Sequence, residues 1–261
     1  MDAQSAETPC PRALQALWDH LRVGQEEALL SPHLPASCAF LAHVFFCAPF
    51  LVLDALASVS QRVGSWRIDA KSRRPPSLRR WLDCFWRVLC RYLTAVLPAT
   101  ALLQSLRSPE LPAHAPTCWQ LFVEVCASFL LFDTLFFAWH FSMHRVPWLY
   151  HNVHQLHHQQ QIPFALAAQD ATSTELLSLL LLALSSAWVV GCHPLSEALF
   201  HLLNSWMAVE DHCGYNLPWA LHRLLPCLGG APFHQTHHSL YRGNYAPYFT
   251  HWDHLFGTYY A

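Results

Sequence analysis

The chain has 261 residues, of which 53% are hydrophobic, 13% aromatic and only 12% charged, against about 25% charged in an ordinary soluble domain. So large a deficit points to a membrane protein before any segment is read. A net charge of −2 excludes nucleic acid as a partner held by bulk electrostatics.

In chain order, residues 1–37 form an N-terminal segment with Pro9, Pro11, Pro32 and Pro35. Trp18, Leu21 and their neighbours suit a short helix lying on a membrane surface. Residues 38–261 are expected to make one membrane-embedded domain. Cys38 to Ser60 is apolar apart from His43, Asp54 and small polar residues, which is long enough to cross a bilayer core. A basic loop follows, with Arg62, Arg67, Lys71, Arg73, Arg74, Arg79 and Arg80. A second apolar stretch runs from Trp81 to Leu106, and a connector with Pro109, Pro112 and Pro116 leads to a third from Trp119 to Trp139. The fourth, Glu175 to Gly191, and the fifth, Leu195 to Val209, flank a His193-Pro194 turn and read as a helical hairpin.

No segment shows sustained alternation, and in a bilayer every backbone polar group must be paired within the protein. The predicted fold is therefore all-α, a multi-pass transmembrane bundle of four to five hydrophobic helices. Short loops rich in Lys and Arg stay cytosolic. Counting spans from the basic loop places His140, the connection after it and residues 210–261 on the cytosolic side, as a histidine-rich helical cap. The ten cysteines include no CxxC pair, and Cys38, Cys47, Cys90, Cys126 and Cys192 sit in apolar runs. They read as small buried apolar residues rather than a disulfide framework.

Histidine is the unusual count: 19, against 15 Lys and Arg together. Three clusters have regular spacing: His140-Phe-Ser-Met-His144, His154-Gln-Leu-His157-His158 and His234-Gln-Thr-His237-His238. Spacings of three and four bring imidazoles to one helix face, and the adjacent pair ending each HxxHH can reach two different metals. His212, after the fifth apolar run, returns to the same membrane face. Eight or nine imidazoles exceed what one metal can use, so two metals are the simplest account. Zinc is redox-inert and its catalytic sites take three protein ligands, whereas many histidines with few carboxylates fit two irons that activate O₂. Ligating histidines pass their other N–H to a carboxylate, carbonyl or water. Asp133, Glu210, Asp211 and Asp253 are the carboxylates available for that, and Asn216 is placed to hold a water. Phe136, Phe137, Trp139, Phe164 and Trp206 are candidates to line a slot for an apolar substrate. A membrane zinc hydrolase would need a general base, and HExxH is absent. A non-catalytic sterol- or metal-binding membrane protein is the rival of a different class.

The order HxxxH, HxxHH, a lone histidine in a His-x-Gly-Tyr turn, then HxxHH resembles the membrane fatty acid hydroxylase and sterol desaturase superfamily, from about residue 119 onward. Leu17 to Arg22, Val146 to Tyr150, Gly191 to Leu195, Val209 to Asn216 and Ala246 to Asp253 extend the likeness toward its sterol hydroxylases. Cys213 departs from it, where Ser or Thr is expected. The resemblance implies an enzyme of the endoplasmic reticulum membrane with a di-iron centre. His140, His144, His154, His157, His158, His212, His234, His237 and His238 would be its ligands. It implies O₂-dependent hydroxylation of a lipid, most readily a sterol taken from the bilayer, with sterol methyl oxidation, desaturation or fatty acyl hydroxylation as alternatives. Electrons would come from a reductase or cytochrome b5, because the chain has no GxGxxG for a flavin or nicotinamide.

Overall fold

The computed structural model describes residues 9–68, 74–107 and 110–260; Lys71 and Arg73 of the basic loop, and Pro109 of the connector, lie outside the described residues. Among those described, no strand forms beyond two isolated bridges, Arg67 to Tyr215 and Leu228 to Phe249. The helices are α1 (Pro9–Arg22), α2 (Leu34–Ala57) and α3 (Leu78–Arg107, with one wide π-type turn at Tyr92–Val96). They continue with α4 (Cys118–Arg145), α5 (Ser173–Val190), α6 (Pro194–Asp211), α7 (Gly230–Leu240) and α8 (His251–Leu255). Four of them, α2 to α5, are long and apolar enough to cross a membrane. The fifth of the hairpin, α6, has the same 18 residues as α5 but carries Glu197, His201, Asn204, Glu210 and Asp211.

The helix ends follow from local chemistry. Ser77, Thr117 and Thr172 accept from the N–H three residues on, at Arg80, Gln120 and Glu175 (3.3, 3.0 and 3.2 Å), which satisfies donors a helix start leaves orphaned. In the hairpin turn Gly191 closes α5 at φ 73°, a left-handed conformation natural to glycine. Pro194 then opens α6, with His193 Nδ1 accepting from the Leu195 N–H at 3.0 Å. The third apolar run ends at Trp139, yet α4 continues to Arg145. Hydropathy falls there, but nothing interrupts the helix until Pro147, which turns Val146 to an extended conformation. That extra turn and a half carries His140 and His144 beyond the apolar span.

The long helices alternate in direction between two ends. At one end Asp54 of α2 meets Arg67 and Tyr215, Arg80 of α3 meets Gln160, and Glu175 of α5 meets His154. At the other, Arg107 of α3 pairs with Glu197 of α6 at 2.7 Å, and Glu124 of α4 accepts from the His193 N–H at 3.0 Å. Trp18 of α1 also belongs there, its ring 4.9 Å from that of His193. All the histidine clusters therefore lie at the end where the basic loop lies.

Helix α4 packs on α5 and α6, and α6 also packs on α2 and α7. Between α4 and α6, Phe200 is fully buried, its ring 5.0 Å from Phe129 and 6.1 Å from Phe132. Within lipid the hydrophobic drive between helices is lost and close packing takes over, so such aromatic pairs, at about 0.5–1.5 kcal/mol each, carry much of the contact.

The cysteines depart in part from the reading as buried apolar residues without disulfides. Cys47, Cys84, Cys192 and Cys213 are buried free thiols, but Cys38 and Cys90 are exposed and Cys126 is half-buried. Cys118, the first residue of α4, is disulfide-bonded. The apolar runs are helices with lipid-facing sides, so a cysteine within one has an even chance of facing outward.

Candidate metal centre

The end of α4 presents His140 and His144 one turn apart. After Pro147 the chain makes a wide π-type turn, Tyr150–His154, and then an α turn, Gln155–His158; such π turns recur at functional sites. Together they aim His154, His157 and His158 inward. Helix α7 brings His234, His237 and His238, and the last turn of α6 delivers His212. The nine imidazoles form two sets, His140, His144, His154, His158 and His237 in one, and His157, His212, His234 and His238 in the other, each with ligand atoms within 4.8 Å of one another. The sets interlock. Each HxxHH gives its first and last histidine to one set, and its middle histidine to the other.

The distances are diagnostic. In the first set, His154 Nε2 lies 3.0 Å from Nε2 of both His140 and His158, and His158 lies 3.1 Å from His237. In the second, His212 Nε2 lies 3.1 Å from His157 and 2.9 Å from His234, which lies 3.1 Å from His238. The contact between His140 and His154 is not a hydrogen bond, because both rings carry their proton on Nδ1. The Nδ1–H of His140 donates to Tyr245 O, that of His237 to Gly243 O and that of His212 to Ala208 O (2.7, 2.7 and 2.8 Å), and His154 Nδ1–H donates to Glu175 Oε1 at 2.8 Å. With the proton on Nδ1, a neutral ring has only a lone pair at Nε2. Lone pairs converging at about 3 Å repel unless a cation stands among them, so the donors fit a metal. His144 completes the first set, its Nε2 buried without a hydrogen-bond partner and its ring 4.8 Å from those of His154, His158 and His237.

The acceptors are held in turn by tight turns. Gly243, at φ 70°, could carry no Cβ, which would stand 2.4 Å from Thr258 O. Asp253 accepts from the N–H groups of Tyr245 and Ala246 (both 2.8 Å) and from Thr258 Oγ1 (2.6 Å), fixing the strand of loop whose Tyr245 carbonyl orients His140. Beyond His212, Gly214 sits at φ 75°, where a Cβ would stand 3.0 Å from Pro163 O. Tyr215 is fully buried, its hydroxyl donating to Asp54 at 2.6 Å.

The other residues predicted to brace the ligands fall at varied distances. Asp133 accepts from the N–H groups of Tyr248 and Phe249 (3.1 and 3.0 Å), anchoring the C-terminal segment to α4. Glu210 stands 3.8 Å from His222 Nδ1, and Asp211 is buried beside it. Asn216 turns its oxygen to His222 and Arg223 (3.2 and 3.0 Å), not to a histidine of either set. Sequence reasoning missed Glu175. It is spaced from Thr172 as in a capping box, a pattern that explains the acid without a site. Of the aromatic candidates, Phe136 and Trp139 meet the His140 ring, at 5.3 and 6.1 Å. Phe137 packs on Trp252, Phe164 on Trp81, and Trp206 on Phe46. A polar cleft of about 270 Å³ between Tyr150, Gln155, Gln159, Gln161 and Tyr241 reaches His158 from the far side.

Burial holds these imidazoles neutral, the form that binds metal. It pushes His212 down to about 4 and, helped by the charge of neighbouring His144, His237 to about 3, against hydrogen bonds to Ala208 O and Gly243 O that act upward. His154, His157, His234 and His238 are held well below the usual range by burial first and neighbouring histidines second. An unfolded chain protonates these groups near pH 6.5, and the folded one does not. Stability is therefore whole above about 6.5 and falls as the pH drops toward 4 and then 3, because the unfolded state takes up protons first. Metal content and melting midpoint, measured together from pH 7.5 to 4.5, are expected to fall together below 6.5. A flat profile would contradict this electrostatic reading.

A model of the fatty acid hydroxylase family matches residues 125–258. Similar proteins include the human cholesterol 25-hydroxylase, 44% identical over 94% of this chain and 90% of its own length. A cholesterol 25-hydroxylase-like protein of Danio rerio is 40% identical over 94% and 97%, and a methylsterol monooxygenase of Aspergillus fumigatus 32% identical over 93% and 80%. No solved structure matches.

Proposed function

This chain belongs to the fatty acid hydroxylase family, and we propose that it is a sterol monooxygenase acting on cholesterol at carbon 25, the reaction named for its human, rat and mouse relatives. The observation that carries the reading is the convergence of nine imidazoles, eight buried and His144 half-buried, on two centres. His140, His144, His154, His158 and His237 would hold one iron, and His157, His212, His234 and His238 the other. An imidazole donor set suits iron among other metals, and the hydroxylase family to which the chain belongs calls for a redox-active one. Two irons, when bound, supply the redox chemistry that splits O₂ and inserts one of its oxygen atoms into an unactivated C–H bond.

The protein's own groups do the rest. Carbonyls of Tyr245, Gly243 and Ala208 and the Glu175 carboxylate fix four rings as Nδ1–H tautomers. The cleft at Tyr150 and Tyr241, lined by Gln155, Gln159 and Gln161, would admit water as far as His158. The sterol tail would come from the opposite, bilayer side, past Phe136 and Trp139 of α4. Two electrons would come from a reductase or cytochrome b5 docking at the histidine end. That end is assigned to the cytosol and the membrane to the endoplasmic reticulum. The basic loop supports this, and so does the disulfide of Cys118 at the opposite end, since disulfides persist on the oxidising side. Residues 38–261 would act as one unit, with α1 bracing the far end through the Trp18 Nε1–H bond to Pro112 O (2.8 Å).

Expression with isotope-labelled cholesterol and a reductase, followed by mass spectrometry, is expected to yield 25-hydroxycholesterol as the main product. No side-chain product from cholesterol, with oxidation of a supplied methylsterol instead, would favour the reaction named for the fungal relative and remove the carbon-25 assignment.

A further inference from the structure

The two histidine sets differ in what stands behind them. In the four-histidine set His212 leans on a carbonyl, and the Nδ1 atoms of His157 and His238 are buried without a hydrogen-bond partner. In the five-histidine set His158 Nδ1 is likewise buried without a partner and His140 and His237 lean on carbonyls, but His154 leans on Glu175. Among the described residues no other acid hydrogen-bonds a histidine of either set.

Glu175 is 2% exposed and firmly placed. Its N–H is capped by Thr172 Oγ1, and that hydroxyl donates to Val153 O at 2.8 Å, tying the start of α5 to the residue before His154. A carboxylate in the first turn of a helix is also favoured by the helix dipole. Its second oxygen, Oε2, is buried without a partner, an arrangement costly in the folded chain unless something repays it. Nine neutral imidazoles bring no negative charge to two divalent ions in a buried site. A carboxylate on the far side of one imidazole makes that ring more basic and strengthens its bond to metal.

We propose that Glu175 makes the five-histidine set the tighter of the two metal sites, so that it fills first and empties last. This rests on the two-metal reading above. Glu175 acts through His154 and is a positioning residue.

The test is an anaerobic Fe(II) titration of the metal-free, full-length protein in detergent, with iron per chain read by mass spectrometry against a competing chelator. The wild type is expected to fill in two steps of one iron each. Glu175→Gln keeps an oxygen that accepts from Nδ1–H but loses the charge, and should weaken the tighter step about tenfold. Glu175→Ala should weaken it about 100-fold, the upper end for such partners, while Glu175→Asp stays nearest the wild type. The weaker step stays put in all three. In a His212→Ala background, where the four-histidine set is crippled, the one remaining step carries the whole effect. The metal-free melting midpoint of Glu175→Gln should match or exceed the wild type's, since the charge on a buried, unpaired carboxylate oxygen is removed. Unchanged steps, a loss on the weaker step alone, or a lowered metal-free midpoint would overturn the proposal. A wild type that binds one iron or none would instead overturn the two-metal reading beneath it.

Discussion

Alanine at His157 or His238 should reduce hydroxylation to background. Outer partners of metal ligands typically change affinity or activity 10–100-fold, and removing a ligand itself must exceed that. Both belong to the four-histidine set, which has fewer donors to spare, so either substitution leaves three. Iron is expected to fall from two per chain toward one, with sterol binding largely retained because both rings are buried within their histidine set. His151→Ala is the matched control. It lies in the π-type turn just before the α turn of His157, but it is exposed and its polar contact is Gln155 Oε1 at 3.5 Å, so its activity should stay near the wild type's. Persistent product formation by His157→Ala or His238→Ala would show that the ligand assignment is wrong, and an equal loss in His151→Ala would point to general damage to the cap.

The gathering of the nine histidines was unusually legible because its signal is local. Histidines at spacings of three and four announce a helix face whether or not the helix is buried, and the interlock of the two HxxHH boxes follows from adjacent residues pointing about 100° apart on a helix. The span count was legible for the same reason, since hydropathy is a windowed property. What lay beyond the sequence was long-range pairing. Glu175 serves His154 across 21 residues, and its local context already offered a sufficient explanation as a helix start. Asn216 was drawn toward the metal by its nearness to His212, yet the left-handed turn at Gly214 swings it to His222. Asp133 sits seven residues before His140 on one helix face, as expected, but its partners Tyr248 and Phe249 lie more than 100 residues away. Aromatic residues carry little positional information in a bundle this rich in them, and only two of the five candidates for a slot meet the histidines.

Asp54→Ala is expected to be the most damaging change outside the histidines, and its effect should reach the metal. Asp54 and Arg67 pair at 3.1 Å with both side chains 3% exposed, and Asp54 also accepts from Trp81 Nε1 at 3.0 Å and Tyr215 at 2.6 Å. Removing one partner of a buried pair costs about 3–5 kcal/mol, because the remaining charge is left without compensation. Tyr215→Phe, by contrast, removes hydrogen bonds to Asp54 and Arg67 but leaves that pair itself intact, and should cost about 1.5–3 kcal/mol. Pairing Asp54→Ala with Arg67→Met should recover part of the loss, since no charge is then stranded. The damage is not confined to stability. Tyr215 ends the turn that begins at His212, and the backbone around it is stitched to the basic loop by Ile68 N–H to Gly214 O and Asn216 N–H to Trp66 O (3.1 and 2.8 Å). Freeing that turn loosens His212, which belongs to the four-histidine set, while the five-histidine set keeps its own supports at Tyr245, Gly243 and Glu175. Melting midpoints should therefore rank Asp54→Ala well below Tyr215→Phe, and Asp54→Ala should lose iron from the more weakly held site first. If it lost both irons in equal measure, the hydroxylase would be sensing global unfolding rather than the release of one ligand.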